Sequence, residues 1–506
     1  MAITAPPIPS RSRIRSQHRR PASRPAPAPS KPPLGSPIAP RRIASNFFSL
    51  GAAEVACRAT SVVVTLSLTD NLKRSGYGRI EFAFNVVFWL VLLVRNGSEV
   101  IAARELARHP RLVRPLVNHL LFIKLVIASA LFAGLLAVAS WTMTDAADRN
   151  LLCLYGLMLL TTAMGLDFAY RGLERMGLVA ISLYVRTAVY AVGVWLLVAD
   201  PGRIAWVPGC LAAGELCGIA LVWAHYVRHY GMPRPRFGGR FLRVFLRRSR
   251  PVMLIQISQT VLGSVDLMVV GLVFPWDEVG LYSAPHRMIT AALTFGIIFQ
   301  QVVFPALARS WRDTPEASRA ALDALVRVLA LGLIPVAIGT TILAQPLVKL
   351  LLPLSYADAS PLLAVGIWRT PLLTLAFLYH TTLIALNRET AGVRLLTLGA
   401  IGSGPLVWAM LSRFGLVGAS AAVCAVALML AAAGYRCLAR EGRAPAWHHH
   451  LGRPFAASLV MVPVSLGLLR WHVLAAVLGG AIAYVAALAA LGGLRREHLR
   501  LLLVRG

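Results

Sequence analysis

The chain has 506 residues, 57% of them hydrophobic and 14% charged, with a mean hydropathy of +0.67 and a formal net charge of +30. That apolar share exceeds the roughly 45–50% of a soluble domain, and continuous Leu- and Ala-rich runs exclude a transmembrane barrel, whose strands alternate. In a soluble chain the charge would suggest nucleic acid, but here it sits in the joints between apolar runs, and no nucleic-acid partner is expected.

Residues 1–43 are rich in Pro, Arg, Ser and Ala, with Arg11, Arg13, Arg15, Arg19 and Arg20 close together, and read as a disordered basic cytoplasmic tail. No short apolar core follows these charges before the first full-length apolar run, so a cleaved signal is not expected. Fourteen candidate spans follow, each long enough as a helix to cross a core of about 30 Å. Six lie at about 46–69, 80–102, 117–140, 150–168, 177–199 and 205–227 and would form an N-lobe over residues 44–229. A basic cytoplasmic linker at 230–250, carrying Arg234, Arg236, Arg243, Arg247 and Arg248, is expected to be partly amphipathic. Six more spans, at about 251–274, 283–305, 321–344, 360–386, 393–411 and 416–435, would form a C-lobe over 251–436. Residues 437–506 add two helices, at about 454–470 and 472–493, and a basic tail. The predicted fold is all-α and polytopic, with the two six-helix lobes around a central cavity. Most of the 51 Lys and Arg fall on the side of the amino-terminal tail, which predicts that both termini are cytoplasmic.

Two segments roughly 200 residues apart repeat one another. The first turns through Gly76, Tyr77 and Gly78, runs apolar from Phe82 to Val94 and closes with Leu106, Ala107 and Arg108. The second turns through Val279, Gly280 and Tyr282, runs apolar from Ile289 to Val303 and closes with Leu307, Ala308 and Arg309. In a membrane protein such a repeat suggests two packed lobes with a substrate path between them.

Catalytic machinery has no place in this pattern. No Walker A sequence, GxSxG elbow or HExxH is present, the outer loops are short, and only His380 hints at intramembrane chemistry. The chain is therefore not expected to be an enzyme, a membrane glycan polymerase or ligase being the alternative from a different class. Cys57, Cys153, Cys210, Cys217, Cys424 and Cys437 lack CxxC spacing, and His448–His450 read as a solvated loop, so no metal or other cofactor is expected.

Ionisable residues inside spans are costly and point to function. Glu54 and Arg58 share an i,i+4 spacing, as do Arg95 and Glu99, and Asp323 and Arg327. Arg186, Glu215, Asp266, Arg287 and Arg369 have no such partner, while Lys124 is expected to snorkel. Arg58, Arg95, Arg186, Arg287 and Arg369 together would make a cationic cavity suited to a diphosphate headgroup. Glu54, Glu99, Glu215 and Asp266 are the acids available for the cavity or for proton or sodium coupling.

Arg171-Gly172-Leu173-Glu174-Arg175-Met176-Gly177 resembles the GLERM stretch of bacterial Wzx-type polysaccharide flippases. Ser264-Val265-Asp266, then Glu278-Val279-Gly280-Leu281-Tyr282-Ser283-Ala284, then Phe304-Pro305-Ala306-Leu307 look like the seventh and eighth helices of that family, within a similarity covering about residues 44–440. The resemblance implies the multidrug/oligosaccharidyl-lipid/polysaccharide exporter fold in a bacterial inner membrane. It implies transfer of an undecaprenyl-diphosphate-linked oligosaccharide to the outer leaflet by alternating access, with a polysaccharide polymerase and glycosyltransferases as functional partners. It also suggests Arg58, Arg95, Asp266 and Arg287 as residues facing the lipid-linked sugar. A lipid II flippase and a multidrug antiporter would share the fold.

Overall fold

A computed structural model describes residues 40–308, 315–386 and 388–492, and every regular element in them is a helix. Of the expected tail at 1–43, residues 1–39 lie outside these residues, as do residues 493–506 and Arg309 of the second repeat, while Pro40–Ile43 instead begin the first helix. In chain order the α-helices are α1 (Pro40–Arg95), α2 (Ser98–Arg108), α3 (Val113–Thr142), α4 (Ala146–Met164), α5 (Asp167–Gly172) and α6 (Met176–Leu197). Next come α7 (Trp206–Tyr230), α8 (Gly239–Val273), α9 (Trp276–Ala308), α10 (Pro315–Ile342) and α11 (Ala344–Leu351). The last are α12 (Ser360–Gly366), α13 (Arg369–Ala385), α14 (Glu389–Arg440), α15 (Trp447–Leu468) and α16 (Val473–Ala490).

Among the described residues, eleven helical segments are long and apolar enough to cross a membrane. Two of them hold two expected spans each. Drawn straight, the 56 residues of α1 would measure about 84 Å, far more than a bilayer core. The helix breaks instead at Lys73, where φ is 58°, and α14 breaks likewise at Gly415, where φ is 62°. The expected span at 283–305 lies within α9.

α1, α3, α4, α6 and α7 pack on one another, as do α8, α9, α13 and α14, and α1 joins the two sets by packing on α8 and α9. The largest apolar core runs through this junction, from Leu72, Ile80 and Val87 to Val265, Val279 and Ile289. α15 and α16 pack together and against α10, through Ile338, Met461 and Tyr484.

The linker is not a loose tether. Residues 231–238 form an irregular strap held to α3, where Asn118 accepts the Arg234 N–H at 2.9 Å through its side chain and the Arg236 N–H at 3.2 Å through its carbonyl. From Gly239 onward the expected linker is the first part of α8, because FLRVFLRR is a helical pattern that continues into the next span.

Candidate functional site

The two glycines at corresponding turns of the repeat touch. A Cβ on Gly78 would overlap the Trp276 carbonyl oxygen and lie 2.7 Å from the Gly280 nitrogen, and one on Gly280 would overlap the Arg74 carbonyl oxygen. Only residues without a side chain let α1 and α9 approach this closely. Ion pairs and a hydrogen bond reinforce the junction. Arg74 meets Asp358 at 3.3 Å, Arg79 meets Asp145 and Asp148 at 3.1 Å each, and Trp276 donates to Asp148 at 3.2 Å. The Phe82 and Trp276 rings pack 5.6 Å apart.

Beneath this roof lies a cavity of about 680 Å³. Its wall comes from α1 (Arg58, Glu81, Phe84, Asn85, Phe88), α8 (Gln259, Thr260, Gly263, Ser264, Leu267), α9 (His286, Arg287, Thr290, Leu293, Thr294) and α13 (Phe377, Thr381). Asn85 donates to the Ser264 carbonyl at 3.3 Å and Trp89 to the Ser264 hydroxyl at 2.9 Å, stitching α1 to α8. Arg287 lies 3.7 Å from Glu81 and 5.3 Å from the centre of the Phe84 ring. Glu81 also accepts the Tyr77 hydroxyl at 3.0 Å. Arg58 has Glu54 one turn before it, and Glu54 Oε2 is buried without a hydrogen-bond partner.

The other expected residues are placed elsewhere, and most are paired. Arg186 bridges Asp167 at 3.0 Å and Glu215 at 3.5 Å. Arg369, almost fully buried, meets Asp266 at 2.8 Å and the ring nitrogen of His286 at 3.3 Å, while Tyr282 donates to Asp266 at 2.5 Å. This cluster surrounds a separate void of about 10 Å³. Arg95 is exposed at the end of α1, away from the cavity wall. The Arg95–Glu99 spacing is not helical, because Asn96 and Gly97 take φ of 38° and 67° and break the turn. Glu99 pairs instead with Lys124 at 2.7 Å. Lys124 does not snorkel: it is fully buried, and its ammonium also donates to the Gly165 carbonyl at 3.1 Å.

The cavity thus gathers two of the five expected arginines, Arg58 and Arg287, and includes an acid that the sequence reading missed, Glu81. A signal was there, since Tyr77 and Glu81 are one helical turn apart within the repeated hairpin, but Glu81 stood at the rim of its expected span. His380 is buried in α13 beside Gly392 rather than in the cavity wall. Among the described residues no group of three His, Cys, Asp or Glu side chains is placed to hold a metal ion.

The polysaccharide biosynthesis protein family matches residues 43–311. No curated protein sequence matches the chain. Among solved structures it is similar to the lipid II flippase MurJ in an inward closed conformation, with 12% identity and a TM-score of 0.69 over 87% of this chain and 98% of that one. It is also similar to a multidrug resistance MATE family transporter of the MOP superfamily in an inward-facing conformation, with 11% identity and a TM-score of 0.63 over 79% of this chain and 98% of that one. These similarities show a shared all-helical fold.

Proposed function

The chain belongs to the polysaccharide biosynthesis protein family, and from that premise we propose that it moves an undecaprenyl-diphosphate-linked oligosaccharide from the cytoplasmic to the outer leaflet of the inner membrane by alternating access. The observation that carries this reading is the cavity between the repeated hairpins, roofed at Gly78 and Gly280 and presenting Arg58 and Arg287 among amide and hydroxyl side chains. A sugar diphosphate cannot cross about 30 Å of hydrocarbon, because its hydroxyls and phosphates would lose water without replacement hydrogen bonds. Asn85, Gln259, Thr260, Thr290, Thr294 and Thr381 offer those bonds to the sugar, and the two guanidinium groups suit the diphosphate. The volume, about 680 Å³, falls within the range of ligand pockets. The polyprenyl tail stays in lipid.

The cycle needs two conformations of different affinity for the cargo. Helices up to α7 and helices from α8 to α14 act as the two lobes, and with cytoplasmic termini the roof faces outward, so the cargo enters from the cytoplasmic side. Of the four acids expected to line the cavity or couple transport to protons or sodium, Glu99, Glu215 and Asp266 have cationic partners, which leaves Glu54 as the coupling candidate.

Similarity to the fold of a lipid II flippase supplies a second reading, in which the cargo is lipid II. A multidrug antiporter that binds organic cations fits less well, because the wall carries two arginines against one acid. Deleting the gene and analysing surface glycan together with undecaprenyl-linked intermediates separates these readings. Lost glycan with oligosaccharide intermediates trapped inside supports the proposal, accumulated lipid II favours the second reading, and intact glycan with altered drug tolerance overturns both.

A further inference from the structure

Glu81 and Arg287 form the ion pair at the cavity roof, and each lies close to the glycine that makes the roof contact. Glu81 is three residues beyond Gly78 on α1, and Arg287 is seven residues, about two turns, beyond Gly280 on α9. The pair therefore fastens the two repeats together from the cavity side. It is a single contact of 3.7 Å rather than a bidentate fork, since Tyr77 occupies the other Glu81 oxygen. Arg287 keeps a third of its side chain open to the cavity, whereas Glu81 is only 10% exposed.

We infer that Glu81 is a stand-in for the anionic part of the cargo: it holds Arg287 while the cavity is empty, gives it up when a diphosphate binds, and thereby unlocks the outer roof. The inference rests on the substrate reading above for the chemical class of the ligand. A diphosphate carries more charge than one carboxylate and can accept two guanidinium hydrogen bonds side by side, so it outcompetes Glu81 for Arg287. Arg58, the other cavity guanidinium, faces the same space and adds to the attraction. Once Arg287 has turned to the ligand, Glu81 is a buried carboxylate with only the Tyr77 hydroxyl as partner. That state is unfavourable until water reaches it. Separation of α1 from α9 at the glycine contact admits the water. Ligand binding inside the cavity is then coupled to opening outside through the differential stability of one ion pair. Glu81 is a positioning residue for Arg287, not a ligand of the cargo.

The test uses the full chain in lipid nanodiscs, with the native cysteines replaced and spin labels at Asp70→Cys and Asp277→Cys, two exposed positions on either side of the roof. Distances between the labels are measured with and without geranyl diphosphate, and binding of that probe is measured in parallel. The unsubstituted roof should give one short distance when empty and gain a longer one when the probe binds. Glu81→Gln keeps the size of the side chain and a hydrogen bond to Tyr77 but loses the charge. It should populate the longer distance several-fold more without ligand, and should bind the probe about tenfold more tightly as the competitor is gone. The exchange of Glu81→Arg with Arg287→Glu should restore the short distance while losing probe binding, which separates loss of the pair from misfolding. An empty Glu81→Gln protein with the unsubstituted distance, or an exchanged pair that stays open, overturns the inference. So does probe binding that leaves the unsubstituted roof unchanged. If Glu81→Gln opens the roof but no variant binds the diphosphate, the ion-pair lock stands and the substrate reading falls. If the diphosphate binds but the roof ignores Glu81, the reverse holds.

Discussion

Arg58 and Arg287 share a cavity but are held differently. Arg287 is balanced by Glu81 at 3.7 Å, while among the described residues no carboxylate lies in ion-pair range of Arg58. A cation kept in a membrane cavity without a tight partner is costly and is retained for what it binds. Replacing both with Gln should cut transport of the lipid-linked sugar at least tenfold while leaving membrane insertion intact, checked by transport assay and by the yield of folded protein. Normal transport would remove both residues from the substrate path. Asp266 shows the opposite design. Its side chain and that of Arg369 are 2% and 3% exposed and meet at 2.8 Å, so removing one partner strands a buried charge. Asp266→Ala should therefore destabilise the protein by about 3–5 kcal/mol, whereas joint replacement of Asp266 and Arg369 by apolar residues should cost much less. Thermal unfolding in detergent checks both. Glu54 offers a third contrast, having a buried oxygen without a partner. Glu54→Gln should abolish any dependence of transport on a pH gradient, and an unchanged dependence would exclude it as the coupling acid.

At the scale of helices, the repeated hairpins meet through backbone rather than side chains. Because a Cβ on Gly280 would overlap the Arg74 carbonyl, which is backbone and cannot swing away, Gly280→Ala should hold α1 and α9 apart at the roof. A cysteine at Val279, fully buried in the closed junction, should then react faster with a membrane-impermeant thiol reagent from outside, and transport should fall although the cavity residues are untouched. The sequence displayed both glycines at matching positions, since a helical repeat is written in local composition. Their mutual contact was not legible, because nothing local records which turns come together across about 200 residues. Charge pairing divides the same way. The i,i+4 rule assumes an unbroken helix, and it fails for Arg95 and Glu99 because the chain breaks at Asn96 and Gly97. Asp266 and Arg369 lie on α8 and α13, too far apart in sequence for any spacing rule to join them. Arg186, Asp167 and Glu215 likewise come from three helices, so arginines that looked free in the sequence proved to be held by tertiary partners.

Across the whole molecule, the alternating access proposed above would require the roof to open and close as the two packed sets of helices move. The salt bridge on its outer rim is exposed: Asp358 keeps 79% of its side chain in solvent opposite Arg74. A pair of that kind contributes about 0–1 kcal/mol, so it aligns the outer rim, while the less exposed Glu81–Arg287 pair and close packing at Gly78 and Gly280 hold the roof from within. A covalent strap should therefore stop the cycle where the exposed Arg74–Asp358 salt bridge cannot. In a cysteine-free chain, Arg74→Cys and Asp358→Cys joined by a short reducible bis-maleimide should eliminate transport, leave diphosphate binding within about twofold, and regain transport when the linker is cleaved. The comparison with Arg79→Cys and Asp148→Cys matters, because that pair joins α1 to α4 within the first set of helices and should be tolerated. If both straps are equally harmless, the roof does not move during transport. If both abolish it equally, the first set of helices does not travel as one body. Only loss confined to the Arg74–Asp358 strap fits two rigid lobes that part at the repeated glycines.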